Sequence, residues 1–150
     1  MVSVTDIPGV FLTPLKIFSS PNGKVLRAWR SSEKGSGTLS EAYFSRVDYQ
    51  CIKGWKKHLK MTLNLVVCEG IVTFAIFDDR SDQHLLRKIS LGPKIEYARL
   101  TVPPKVWVSY RGDEDSNMLI NFADLIHEPT EAENLPLDHG TIPLTWCQDK

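Results

Sequence analysis

The stretch from Leu63 to Asp79, LNLVVCEGIVTFAIFDD, decides the fold class. Two short runs rich in β-branched and aromatic residues flank Glu69-Gly70. Each run is too short for a buried helix, and a glycine between two such runs reads as a hairpin-like turn. Similar runs recur along the chain at the spacing of a sandwich or barrel. HLLRKISLG follows the polar turn Asp78–Asp82 and stops at Gly92-Pro93. YARLTV and KVWVSYR flank Pro103-Pro104, and NMLINFADLI follows a polar loop from Gly112 to Ser116. Upstream, FLTPLKIF and KVLRAWR read as strands around Ser20-Pro21-Asn22-Gly23, while Ser31–Ser40 (SSEKGSGTLS) has the composition of a flexible loop. No segment keeps helical periodicity for three turns, and residues 130–134 have room for one turn at most. The tail from Glu128 is proline-punctuated and is expected to pack as an irregular extension ending near Trp146. The reading is an all-β antiparallel sandwich or barrel, one domain over residues 1–150.

Composition agrees. With 150 residues, 42% of them hydrophobic, the chain can build one core without disulfides or metal. Net charge is zero, which argues against disorder. No apolar run approaches the roughly 20 residues of a membrane-spanning helix. The N-terminus lacks a basic segment followed by a long apolar one, so no leader is read and a cytoplasmic protein is expected. Cys51, Cys68 and Cys147 are odd in number and form no CxxC pair, so neither a disulfide framework nor a thiolate zinc site is indicated. Cys68, within LNLVVC, is expected in the core. The neutral total hides an asymmetry: residues 1–60 carry a balance of +6 and residues 111–150 a balance of −7. The basic part can serve an anionic ligand, or the two parts can attract one another; the acidic part argues against broad nucleic-acid binding.

The stretch from Gly54 to Cys68 is read as one strand near the centre of the fold. Alternation puts Trp55, Lys57, Leu59, Met61, Leu63, Leu65 and Val67 on one face. The other face carries Lys56, His58, Lys60, Thr62 and Asn64. In an open sheet those polar residues are simply the wet side; in a barrel they line the mouth of a ligand cavity. No histidine cluster has ligand spacing, so no metal is expected. No nucleophile motif or glycine-rich phosphate loop occurs either.

Several segments occur in a telling order: GVFLTPLKIF, EAYFSRV, IKGWKKHLKMTLNLVVCEGIVTFAIFDDR, LTVPPKVWVSY and LPLDHGTIPLTW. The series resembles the dTDP-4-dehydrorhamnose 3,5-epimerase family of the cupin superfamily, over roughly residues 9–146. The resemblance implies a cupin-type jelly roll and a homodimer that exchanges N-terminal strands. It also implies metal-free, cofactor-free chemistry on a nucleotide-linked 4-keto-6-deoxysugar in cell-surface polysaccharide synthesis. Such epimerases remove a proton beside the ketone with a histidine base and return one with a tyrosine acid. The family's base position reads Lys56 here, its tyrosine reads Ile120, and a further histidine reads Val108. His58 resembles a second histidine of many relatives and is the credible base, since imidazole titrates near neutral pH. Lys56 can stabilise an enolate or hold a phosphate, and Tyr110 is a candidate acid. Lys53, Lys60, Asn64, Trp107 and Asn121 are expected to bind substrate. Lys53 can join Lys56 only if Gly54 marks a bulge. The aromatics Phe11, Phe18 and Trp29 look exposed enough to seek a partner chain. A non-catalytic sugar-nucleotide-binding or dimeric interaction protein on the same fold is the alternative.

Overall fold

The computed structural model describes residues 3–143 and 146, so Cys147 lies outside the described residues. The β-rich runs become strands because each can bury one row of side chains while hydrogen-bonding its backbone to its neighbours. In chain order these are β1 (Ser3–Val4), β2 (Phe11–Pro14), β3 (Ile17–Ser20), β4 (Gly23–Leu26), β5 (Glu41–Asp48) and β6 (Ile52–His58). They continue as β7 (Leu63–Glu69), β8 (Val72–Asp78), β9 (Leu85–Leu91), β10 (Ala98–Val102), β11 (Trp107–Gly112) and β12 (Ser116–Ala123). A 3₁₀ turn over Pro129–Glu131 leads into β13 (Ala132–Asn134). One sheet has the order β1-β2-β10-β7-β12-β5 and the other β13-β6-β11-β8-β9; β3 and β4 form a separate hairpin. Every ladder between named strands is antiparallel. Among the described residues no helix is long and apolar enough to cross a membrane.

The core fills the space between the sheets. Leu63, Leu65 and Val67 of β7 meet Leu100 and Val102 of β10, Leu119 of β12, and Val72, Phe74 and Ile76 of β8. A second cluster lies on the far face of the β6-β11-β8 sheet. There Trp55, Ala75, Phe77 and Trp107 are covered by Leu135, Leu137, Ile142 and Trp146 of the tail. The tail is therefore a lid over one sheet face, and it contributes strand β13, which an irregular extension would not.

Two expectations need correcting. The turn at Glu69–Ile71 closes no hairpin: β7 lies in one sheet and β8 in the other. Both strands are buried on both faces over most of their length, so each sits inside its own sheet, and the turn carries the chain across the core. Gly70, at φ 72°, makes the passage possible, because a Cβ there would run into the Ser116 carbonyl and the Asn117 side chain. The true hairpin is β8–β9. Likewise, Gly54–Cys68 is two strands in different sheets, broken by Leu59–Thr62. The break resets the alternation, so inward positions are even-numbered in late β6 and odd-numbered in β7.

Three smaller differences follow. Cys68 is half-buried rather than core, with its thiol 3.4 Å from the Met118 carbonyl oxygen. Of Phe11, Phe18 and Trp29, only Phe18 is exposed; Phe11 packs against Gly35. Ser31–Ser40 has no regular structure, yet it is fastened to the sheet beneath, with Ser36 buried and its carbonyl oxygen 3.5 Å from Asn64 Nδ2.

Candidate functional site

A cavity of about 450 Å³ opens between the sheets at the ends of β5, β6, β7, β11 and β12. Its floor is apolar, with Met61, Leu63, Leu65, Val108 and Leu119. Its polar wall is β6, which presents Lys53, Lys56 and His58. The side chains of Lys53 and Lys56 share this wall because β6 bulges. Val108 of β11 pairs with Lys56 and Tyr110 with Lys53, so three residues of β6 span two of β11. Gly54 and Trp55 carry the extra residue, as the sequence condition required. Trp55 turns outward into the second cluster.

His58 is buried, and its Nδ1 lies 2.6 Å from Glu131 Oε2. The other oxygen of Glu131 accepts hydrogen bonds from the backbone N–H groups of Lys60 and Met61, at 2.7 and 2.8 Å. One carboxylate thus orients the imidazole and holds the turn that ends β6. Burial of Glu131 raises its pKa, but the His58 bond, the two backbone donors and the imidazole's charge outweigh that and bring it down to about 2. An ionised carboxylate only accepts, so Nδ1 carries a proton and a neutral His58 keeps its lone pair on Nε2.

Tyr110, on β11, packs on Phe74 with ring centroids 5.7 Å apart. Burial pushes its phenol pKa up, and a hydrogen bond with Ser45 works the other way. Asn121 lines the cavity, and its Oδ1 accepts the Asn64 backbone N–H at 3.2 Å, which supplies the partner an amide in an apolar run needs. At the rim, Tyr43 stands edge-on to His127 at 6.4 Å, and the Tyr43 hydroxyl and the His127 backbone N–H both donate to Glu41 Oε2.

Five of the eight candidates, His58, Lys56, Tyr110, Lys53 and Asn121, therefore meet at one cavity. Three do not. Lys60 sits in the exposed turn and lines a different depression with Leu59, Leu125 and Ile126. Asn64 points to the outer face, where its Oδ1 accepts from Thr101 Oγ1 at 2.8 Å; the reset of alternation at Leu59–Thr62 is the cause. Trp107 is buried in the outer cluster, beneath Lys57 at 4.5 Å and bonded to Asp79. Ile120, placed at the family's tyrosine, faces away from the cavity, and its neighbours Leu119 and Asn121 face in. Sequence reasoning missed Glu131. Its only advance signal was the acidic tail set against the basic stretch at 53–60, and the structure joins them twice, at His58–Glu131 and Lys57–Glu133. Among the described residues no group of three or more His, Cys, Asp or Glu is placed to hold a metal ion.

No family model matches the sequence, and no curated protein does. Solved structures do. A dTDP sugar isomerase from Desulfovibrio desulfuricans G20 superposes at a TM-score of 0.91 with 28% identity, covering 100% of this chain and 96% of that one. The chain has the dTDP-4-dehydrorhamnose 3,5-epimerase-like jelly-roll fold. The dTDP-4-dehydrorhamnose 3,5-epimerase of Bacillus anthracis str. Ames, with TDP and PPi bound, matches at 0.83 with 15% identity over 97% of this chain and 89% of its own. The dTDP-6-deoxy-D-glucose-3,5-epimerase of Legionella pneumophila Philadelphia 1, in complex with dTDP-4-keto-L-rhamnose, matches at 0.79 with 12% identity over 90% and 77%. Those two likenesses concern the fold alone. In this jelly roll the candidate cavity lies inside the barrel, between the two sheets.

Proposed function

We propose that this protein binds a dTDP-linked 4-keto-6-deoxysugar in the barrel and moves a proton at the carbon beside its ketone. The observation that carries the proposal is the buried His58–Glu131 pair, 2.6 Å apart, on a cavity wall that also presents two lysines. Glu131 fixes the imidazole with Nε2 free. That nitrogen takes the proton from the carbon next to C4, and the electron pair moves onto the ketone oxygen as an enolate. A lysine ammonium close by, Lys56, stabilises that oxygen, while Lys53 at the mouth attracts the diphosphate. Tyr110, on the neighbouring strand β11, is the acid that returns a proton, and its delivery to the other face of that carbon gives an epimer.

The relative with 28% identity favours a second outcome of the same step, since it is named a dTDP sugar isomerase. If the enolate is reprotonated on its other carbon, after a proton moves between the two oxygens, the ketone is relocated instead of the centre inverted. Both outcomes need His58. The non-catalytic alternative needs only the lysines and the apolar floor, and it draws on the replacement of the family's base and acid positions by Lys56 and Ile120.

The reading extends to a homodimer, because Phe18 and Val25 of the β3–β4 hairpin and Phe44 of edge strand β5 are 54%, 67% and 69% exposed. It also extends to a cytoplasmic role in making sugars for cell-surface polysaccharide. Calorimetric titration with dTDP tests the binding half. We expect saturable binding that Lys56→Ala weakens, with the loss smaller at high salt, where charge attraction is already screened. No heat of binding at millimolar dTDP refutes the proposal.

A further inference from the structure

Away from the cavity, on the outer face of the β1-β2-β10-β7-β12-β5 sheet, Arg99 of β10 has no exposed surface. The segment from Arg27 to Ser36 covers it. Arg99 Nη1 donates to Glu33 Oε2 at 3.0 Å, and Arg27 Nη2 donates to Glu33 Oε1 at 2.8 Å. Two guanidinium groups therefore share one carboxylate, and a positive charge is left over. The remaining contacts of Arg99 are long: Nη2 reaches Thr13 Oγ1 and the Lys34 carbonyl at 3.4 Å each. Among the described residues three buried side-chain nitrogens have no hydrogen-bond partner, and they are Arg27 Nε, Trp29 Nε1 and Arg99 Nε. All three belong to this cover and the strand beneath it.

Buried donors without partners are rare, and the surplus charge is costly at Arg99, which has no exposed surface, whereas the Arg27 side chain stays 21% exposed. Water can satisfy the N–H groups but cannot balance the charge. Burial pushes the pKa of Arg99 down, and Glu33 pulls it back up. A guanidinium nevertheless stays protonated in proteins, so the charge cannot be relieved by losing a proton. The underused edge of Arg99 is its Nε–Nη2 fork, the edge that grips two oxygens of one oxyanion.

We propose that the cover over β10 is an oxyanion site, in which Arg99, Arg27 and the Trp29 indole hold a phosphate-type anion. It is independent of the chemistry in the cavity. Its filling ties segment 27–36 to the sheet. The chemistry fits inorganic phosphate or the diphosphate of a nucleotide, and the test separates the two.

The test follows the indole N–H resonances of the four tryptophans by NMR while phosphate is titrated at constant ionic strength, with chloride as the balancing salt. Trp29→Phe identifies the Trp29 resonance. We expect that resonance to move saturably with phosphate, Arg27→Gln to weaken the response by about tenfold, and Lys56→Ala to leave it unchanged. A parallel titration with dTDP that saturates at lower concentration assigns the site to a nucleotide diphosphate; a response to phosphate alone assigns it to the free anion. A resonance that stays put, moves equally with chloride, or titrates identically in Arg27→Gln overturns the proposal. Should Arg27→Gln fail to fold, the unsubstituted protein against chloride still decides.

Discussion

Glu131→Gln perturbs the joint on which the site is built. The Glu131 side chain is 8% exposed and accepts bonds from His58 Nδ1 and from the Lys60 and Met61 amides. Its pKa falls from an ordinary 4.5 to about 2. At ~1.4 kcal/mol for each tenfold change in proton affinity, that is at most about 3.5 kcal/mol of stabilisation. Solvent near the turn screens part of it, which leaves about 1–2 kcal/mol. A carboxylate whose pKa is depressed by folding stabilises the fold fully above its unfolded pKa, and the contribution drains away as pH falls from about 4.5 towards 2. Glutamine keeps an acceptor for the two backbone amides but has no charge and turns an NH₂ towards Nδ1. Urea unfolding at near-neutral pH should therefore show the variant less stable by about 1–2 kcal/mol, with the gap closing as pH drops to about 3. A gap that is absent at neutral pH, or as large at about pH 3, refutes the reasoning.

Further predictions concern the frame. Trp55→Ala empties the outer cluster beneath the tail and should cost about 3–5 kcal/mol in chemical denaturation. Gly70→Ala forces a side chain onto the Ser116 carbonyl at a positive φ and should cost at least about 1–3 kcal/mol; the equivalent change at Gly140, which has open space around it, should be nearly silent. Light scattering at micromolar protein should give twice the chain mass, and a monomer would count against the exposed hairpin and edge strand as an interface.

The strands were legible because their apolar runs are long enough to bury and are separated by glycine, proline or clustered polar residues. Their distribution between sheets was not. A run buried on both faces looks the same whichever sheet receives it, so β7 and β8 read as a hairpin although they face each other across the core. The break at Leu59–Thr62 was invisible for a related reason. Leu59, Lys60, Met61 and Thr62 include no glycine, proline or asparagine to mark a turn, and what holds the turn is the carboxylate of Glu131, supplied from a distant part of the chain. That unseen turn explains why Lys56 and His58 face the cavity while Asn64, expected on the same face, points outward. The bulge that brings Lys53 in was readable, because Gly54 and the alternation together required it.

The central claim is that His58, held by Glu131, removes a proton beside a sugar ketone. Incubating the protein with a dTDP-4-keto-6-deoxyhexose in deuterated water and following the sugar by NMR tests it directly. The account predicts deuterium at the carbon next to the ketone with the unsubstituted protein, and none above background with His58→Ala, which should still bind dTDP. Binding without any deuterium incorporation, or incorporation that continues undiminished in His58→Ala, would contradict it.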